Sequence, residues 1–270
     1  MRKRLLTSMS LVSLLVLILV IVGTGEVTFA RSNLLYNFSF ENKDDESSLL
    51  NRGLVGGKIS VSNSKAPDPE FIDNTAIGLG KAWNQPVQSS RPRGEFLTLP
   101  TDKNNYLALN KRGNDMTFAL WINWNGSVGN FSTLVTKGNG VNHGKGWTCY
   151  LNKVGKIVFK WVRAKKGNTT CTKRSSNKTV PKNKWTHIAV VWDSNAEGGV
   201  SIQFFINGKK AGSNSLPYPW GVMETSQDDI IVGDRFGNGA NPFNGALDEV
   251  KIYDSVMSKQ DIFELFSEAK

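Results

Sequence analysis

Tryptophan is the residue type of this chain that points most directly to a ligand, because its ring joins a large apolar face to a polar N–H group. Trp147 follows a loop rich in Gly and Asn, and Trp220 lies in a loop rich in Pro. Both are predicted to be exposed and to form a ligand site for a sugar ring, with packing inside their loops as the alternative. Four other tryptophans lie in strand patterns and are predicted to fill the core: Trp121, Trp161, Trp185 and Trp192.

A second candidate for ligand binding is the segment from Gly233 to Gly245, which is rich in Gly and Asn. It contains Arg235, Phe236 and Asn238. Loops carried at the edge of a rigid scaffold are common places for binding residues. These three side chains are therefore added to the predicted ligand site.

Catalytic chemistry has little support in the sequence. Glycoside hydrolases need two carboxylates flanking the scissile bond, and the nearest segment, Asp248-Glu249, lacks partner carboxylates. His187 lies in a run of β-forming residues and is predicted to be a core or strand-end residue, while His143 has no acidic or Cys neighbour. No G-x-S-x-G motif, H-E-x-x-H motif or phosphate-cradling Gly loop is present. A non-catalytic protein is the prediction.

The amino terminus has the pattern of a signal peptide. A basic start is followed by an apolar run from Leu11 to Val22, and Thr28-Phe29-Ala30 offers small residues for cleavage before Arg31. We predict a signal peptide over residues 1–30, a single domain over residues 31–270, and a secreted protein. The alternative is an uncleaved membrane anchor, since the apolar stretch counted from Leu5 reaches about 18 residues.

The chain is basic, with a formal net charge of +10. Residues 1–30 contain three basic residues and one acidic residue, so their removal leaves +8. A cluster of positive charge lies within twenty residues: Lys165, Lys166, Lys173, Arg174, Lys178, Lys182 and Lys184. These side chains are either solvated loop residues or the footprint of a sulfated glycan, teichoic acid or other polyanion. Nucleic acid is not expected as a partner of an exported chain.

Cys149 and Cys171 are the two cysteines of the chain. In an exported protein two cysteines favour one disulfide, which we predict here. In a simple three-strand meander, however, they would lie on the outer strands, beyond the reach of a disulfide. The bond therefore requires the third segment to fold back as a loop.

Alternating apolar residues predict many short strands. The segment from residue 34 to 40 alternates, and residues 185–192 form a nearly continuous β-forming run that is predicted to be central and covered on both faces. Asn207-Gly208 is a strong hairpin-turn dipeptide. The other predicted strands are 96–99, 117–124, 147–151, 157–162, 200–206, 230–233 and 246–253. Strands spaced in this way without helices between them predict an all-β antiparallel sandwich.

A short helix is predicted at the carboxyl end. Ser258 can cap it, with Asp261 at the third helical position in a capping-box arrangement. Ile262, Leu265 and Phe266 fall at helical spacing and are predicted to hold the helix against the sandwich.

Four segments together resemble the laminin G-like family of concanavalin A-like jelly-roll domains, relatives of pentraxins and legume lectins. They are Met116–Ile122, Lys184–Val191, Phe205–Gly208 and Phe243–Asp254, in the order in which the family has them. The resemblance implies a jelly-roll sandwich. It does not fix a function, because one fold carries many functions.

The resemblance also implies a possible structural Ca²⁺, which some members hold between the Asp of the last strand and the loop after the first strand. Here these are Asp248 and the loop that contains Glu41 and Asp44, which together offer the oxygen ligands that Ca²⁺ prefers. The alternative is that Asp248 and Glu249 cap strand ends and pair with Lys or Arg.

The sequence thus favours a secreted, non-catalytic binding module that recognises carbohydrate or a cell-surface polymer through loops at the sandwich edge. An extracellular protein-interaction or adhesion domain is the second hypothesis, and a glycoside hydrolase or lyase is the third.

Overall fold

A computed structural model describes the greater part of the chain. The described residues are 34–40, 50–62, 70–73, 75–76, 81–85, 96–100, 107, 113–138, 145–165, 168–217, 223, 226, 228–235 and 241–268. The predicted signal peptide lies outside them, as do Glu41, Asp44, Trp220, Phe236 and Asn238. Residues Ser32–Lys270 form one compact unit.

Strands dominate the described part of the chain. They are β1 Leu34–Phe38, β2 Ser60–Ser62, β3 Glu70–Ile72, β4 Ala82–Gln85, β5 Phe96–Thr98, β6 Met116–Trp124, β7 Phe131–Lys137, β8 Trp147–Asn152, β9 Lys156–Lys165, β10 Asn168–Thr179, β11 Trp185–Asp193, β12 Gly199–Ile206, β13 Lys209–Pro217, β14 Ile230–Val232 and β15 Gly245–Tyr253. One helix, α1, spans Lys259–Glu268. Among the described residues, no helix is long and apolar enough to cross a membrane.

The strands form two antiparallel sheets. The eight-stranded sheet has the order β13-β12-β11-β6-β15-β4-β3, with β1 also paired to β15, and the seven-stranded sheet has the order β10-β9-β8-β7-β14-β5-β2. The long strand β15 pairs with β4 at its start and with β1 at its end. The predicted antiparallel jelly-roll sandwich with a short carboxyl-terminal helix is confirmed.

The core lies between the sheets and follows the predicted alternation. Phe118, Leu120 and Ile122 of β6 face the seven-stranded sheet, which contributes Phe159 and Trp161. Aromatic rings fill much of this space, as in the edge-on contact of Trp161 with Trp192, whose ring centroids are 5.4 Å apart. Such pairs add to the stability that burial of their apolar area already provides.

The helix α1 covers the outer face of the eight-stranded sheet. Its amino end has the predicted capping box, in which Ser258 N donates to Asp261 Oδ2 at 2.7 Å and Asp261 N donates to Ser258 Oγ at 3.2 Å. Ile262 and Leu265 are buried against the outward residues of β6 and β11, and Phe266 stacks on Trp121 at 5.6 Å. Strand β11 is therefore covered on both faces, as predicted.

The Asn207-Gly208 hairpin joins β12 to β13 as predicted. Both residues have positive φ, 50° and 69°, which is the conformation of a two-residue type I′ turn. Asn tolerates this region better than most side chains, and Gly adopts it without steric cost.

The predicted disulfide between Cys149 and Cys171 is wrong, since no disulfide joins them. Strands β8, β9 and β10 form the simple meander, with Cys149 opposite Phe159 and Cys171 opposite Val162 on the two sides of β9. Two strand spacings, about 10 Å, already exceed the reach of a disulfide. Phe159 and Val162 are three residues apart, so the two cysteines also face opposite sides of the sheet.

Candidate ligand-binding site

The outer face of the seven-stranded sheet differs from its counterpart, because in the described part of the chain no helix lies over it. Cys149 and Leu151 of β8 point into the core, so Thr148 and Tyr150 between them point outward. Cross-strand register places further side chains on the same side. We call this surface the open face; its members are Phe131, Thr133, Thr148, Tyr150, Val158, Lys160, Lys173 and Ser175.

Two aromatic rings form the most prominent feature of the open face. The ring centroids of Phe131 and Tyr150 are 4.5 Å apart, at an interplanar angle of 40°. The Arg235 guanidinium lies over Phe131, 5.4 Å from its centroid. All three side chains are half-buried, so each packs on its neighbours and still presents part of its surface to solvent.

Around Tyr150 the floor of the open face is polar. Tyr150 is flanked across the ladder by Thr133 on β7 and Val158 on β9. The hydroxyl groups of Thr133 and Thr148 are buried and have no hydrogen-bond partner. Buried polar atoms without a partner are rare in native folds and call for a water or ligand partner.

A cleft of about 300 Å³ opens beside Tyr150. Its walls include Asn152, Lys173 and Arg174 of the seven-stranded sheet and Asn214 of β13. Asn214 Nδ2 donates to the Ser175 carbonyl at 3.5 Å, so the cleft lies where the two sheets meet at one edge. This volume is at the lower end of the range for small-ligand sites.

Positive charge surrounds the aromatic pair. Burial lowers the pKa of Lys160; nearby Cys171 raises it, and the charges of Arg235 and Lys173 lower it further. Burial also lowers the pKa of Arg235, while Tyr150, Cys171 and Asp234 raise it. Burial raises the pKa of Tyr150, so its phenol stays protonated well above neutral pH. The site therefore combines an apolar platform, neutral hydrogen-bonding groups and cations.

Of the predicted ligand residues, the described ones are Arg235 and Trp147. Arg235 lies at the open face, beside Phe131. The predicted exposure of Trp147 is wrong, because its side chain is fully buried in the core. Trp147 is the first residue of β8 and points inward on the same side of the strand as Cys149. Its ring stacks between those of Phe118 and Phe159, with centroid distances of 6.3 and 5.6 Å.

Sequence reasoning did not select Phe131, Tyr150 or Lys160. The sequence contained part of the information needed to find them, since Tyr150 and Lys160 occupy outward positions in strands that were predicted. The strand that carries Phe131 was not predicted.

Asp248, the metal candidate, is buried at a register shift in β15. Its Oδ1 accepts a hydrogen bond from Glu249 N at 2.8 Å, and its Oδ2 accepts one from Ala76 N at 3.4 Å. Glu249 pairs with Lys251 at 2.9 Å. Within the described residues no three His, Cys, Asp or Glu side chains form a group able to hold a metal, so calcium binding stays a prediction.

His187 is a core residue, one of the two alternatives predicted for it. It lies under α1 between Trp121 and Phe266, with ring distances of 5.4 and 6.0 Å. Burial, with a smaller effect from the charge of Lys251, lowers its pKa to about 3. A neutral imidazole so enclosed has a packing role.

A model of the concanavalin A-like lectin/glucanases superfamily matches residues 98–263, which is more than half of the chain. No curated protein matches it in sequence.

The chain is similar in fold to several solved structures. The first structure concerns botulinum neurotoxin type C, whose cell entry depends on interaction with two ganglioside molecules. The sequence identity is 15% and the TM-score is 0.59, and the match covers 89% of this chain and 52% of the toxin chain. The second is the binding domain of Paraclostridial Mosquitocidal Protein 1, with 18% identity and a TM-score of 0.57, over 89% and 53%. This chain thus spans about half the length of each toxin chain.

The third similar structure is matched over nearly its whole length. It is domain 4 of AbnA, a GH43 extracellular arabinanase from Geobacillus stearothermophilus, in complex with arabinotriose. Identity is 18% and the TM-score is 0.56, over 86% of this chain and 98% of that one. At such identities the likeness shows the fold.

Proposed function

The chain belongs to the concanavalin A-like lectin/glucanase superfamily, and from this premise we propose that it is a secreted, non-catalytic module that binds carbohydrate on the open face. The observation that carries the proposal is the half-buried Phe131–Tyr150 pair beside a polar cleft. Trp147 is not part of this site, because its indole is not accessible.

The chemistry of the open face suits a sugar. A pyranose or furanose ring has an apolar C–H face and a rim of hydroxyl groups. The rings of Tyr150 and Phe131 provide the matching apolar surface, and aromatic side chains commonly anchor ligands in this way. Asn152 and Asn214 at the cleft offer amide donors and acceptors for the hydroxyl rim.

The similar folds support a carbohydrate ligand in general terms. One toxin structure concerns interaction with gangliosides, and the arabinanase domain was solved with arabinotriose. Arabinotriose is a glycan, and a ganglioside is a lipid that carries a glycan head group. They favour the class of ligand and leave its identity to experiment.

The groups at the open face also favour binding over hydrolysis. A glycosidase needs two carboxylates about 5–10 Å apart, one of them acting as an acid. Asp234, whose charge acts on the Arg235 guanidinium, is buried and accepts a hydrogen bond from Asn241 N at 3.3 Å. The side chains that face the cleft are instead a phenol, amides, hydroxyls and cations.

Two further elements complete the proposal. Residues 1–30 would direct export and be removed. Asp248, with Glu41 and Asp44, would hold a structural Ca²⁺ through carboxylate oxygens.

A glycan array tests the proposal. We expect the protein to bind a defined class of glycan and Tyr150→Ala to lose most of that signal, because the apolar platform is removed. Phe263→Ala is the matched control, since Phe263 is a partly exposed aromatic on α1, on the other sheet. Folding of each variant is checked by circular dichroism.

A blank array from the folded protein would overturn the proposal and favour a protein ligand. Equal binding by Tyr150→Ala and the wild type would leave a lectin but remove the open face as its site.

A further inference from the structure

Lys160 and Lys173 stand directly opposite each other on the open face, on neighbouring strands β9 and β10. Directly paired side chains in an antiparallel ladder have Cβ atoms about 5 Å apart, and like charges at such a pair are destabilising. The fold thus places two positive charges side by side, although an uncharged polar residue would fit the strand pattern at either position equally well.

In the described part of the chain, these two charges have no carboxylate partner. The ion pairs found among the described residues join Lys81 to Asp73 and Lys251 to Glu249, and none involves Lys160 or Lys173. Arg235 adds a third charge, since it is among the groups that lower the pKa of Lys160. Lys160 is also half-buried, which weakens the screening of these charges by water.

The cation pair adjoins the aromatic platform. Lys173 lines the same cleft as Tyr150. Lys160 lies across from Thr148, the outward residue next to Tyr150 on β8, so Tyr150 and Lys160 are diagonal neighbours about 7–8 Å apart. A sugar ring against Tyr150 would therefore hold a ring substituent within reach of both ammonium groups.

We propose that the open face selects acidic glycans, with a carboxylate or sulfate group of one sugar bound between Lys160 and Lys173 while its ring packs on Tyr150. This inference rests on the proposed carbohydrate-binding function. An anion at this position relieves the repulsion between the lysines and gains charge-assisted hydrogen bonds. A neutral sugar has neither advantage.

Titration calorimetry with matched oligosaccharides tests the inference on the full chain. The probes are galactotriose, tri-galacturonate and a sulfated galactotriose, which share a galactose-type ring and differ in charge. We expect at least one acidic probe to bind about tenfold or more tightly than the neutral one, as one charge-assisted contact allows. Binding of one acid alone identifies the substituent, and binding of both shows that charge suffices.

Substitutions separate charge recognition from ring recognition. Lys160→Gln/Lys173→Gln should weaken the acidic probes far more than galactotriose and so remove the preference for acid, whereas Tyr150→Ala should weaken every probe. Lys209→Gln/Lys210→Gln is the charge-matched control, because it also removes two positive charges and both lysines are exposed on β13. Since the Lys160→Gln/Lys173→Gln variant relieves repulsion between the lysines, its melting temperature should not fall. A loss of acid preference in this variant can then not be attributed to unfolding.

Three outcomes would overturn the inference. Equal affinity for neutral and acidic probes, unchanged by the double variant, would refute acid selection while the carbohydrate proposal stands. Binding to inorganic polyphosphate as tight as to the acidic sugars, and independent of Tyr150, would show a general polyanion surface. Failure of every glycan to bind folded protein would refute the proposed function as well.

Discussion

The role predicted for Trp147 changes when the alternation of inward and outward side chains along its strand is taken into account. The Gly-rich segment before it suggested exposure, but Trp147, Cys149 and Leu151 alternate inward along β8. The indole lies between the rings of Phe118 and Phe159, and its Nε1 donates to the Leu107 carbonyl at 3.4 Å. A side chain placed in this way contributes to the stability of the sandwich.

The substitution Trp147→Ala should therefore lower the free energy of unfolding by about 3–5 kcal/mol, the range for large-to-small aromatic changes in a core. Chemical denaturation followed by circular dichroism measures it, and Trp147→Phe should cost clearly less. Unchanged stability combined with lost glycan binding would return Trp147 to the ligand site.

His187 should make stability depend on acid. Its pKa is about 3 in the folded protein because burial disfavours the charged imidazole, and it is about 6.5 in the unfolded chain. Between these values the unfolded state binds more protons, so stability is complete above pH 6.5 and falls as the pH drops towards 3.

In His187→Gln the loss of stability between pH 6 and 4 should be shallower than in the wild type, by up to about 1.4 kcal/mol per pH unit. Urea unfolding at several pH values measures both slopes. Lys251 and Glu249, which line the small cavity at His187, are present in both proteins, so the difference between the slopes reports the titration of His187 in its native surroundings. Identical slopes would show that the pKa of His187 is the same in the folded and unfolded states.

At the scale of elements, strands with strong apolar alternation were predictable and polar strands were not. Met116–Trp124 and Trp185–Asp193 emerged from their apolar residues. The strand Asn168–Thr179 consists almost entirely of polar residues, since it forms the edge of its sheet and has one paired neighbour. Its pairing depends on β9, which no local pattern in β10 reveals.

The open face depends on these less predictable elements. Phe131 lies in β7 and Lys173 in β10, and neither strand was predicted. Register brings Phe131 beside Tyr150, and Lys173 opposite Lys160. The site therefore follows from tertiary pairing more than from any motif.

The capping box of α1 offers a test at this scale. Ser258→Ala removes the side-chain acceptor of Asp261 N and should lower the free energy of unfolding by about 1 kcal/mol. Ser267→Ala near the other end of α1 is the control, because its hydroxyl donates only to the Phe263 carbonyl one turn earlier and such bonds add little. Equal effects of the two changes would argue against the cap.

At the scale of the whole molecule, the four segments that resembled the family explain why the fold was predictable. They contribute to β6, β11, β12 and β15, which are consecutive neighbours in the eight-stranded sheet. Residues far apart in sequence thus share one continuous structure. The two sheets then differ in use: α1 packs on one outer face, and the other carries aromatic rings and cations.

The measurement that tests the central claim most directly is a crystal structure with the tightest-binding oligosaccharide from the array. We predict electron density for a sugar ring against Tyr150, in the cleft beside Lys173 and Asn214. Density confined to another surface, with the open face empty, would contradict it.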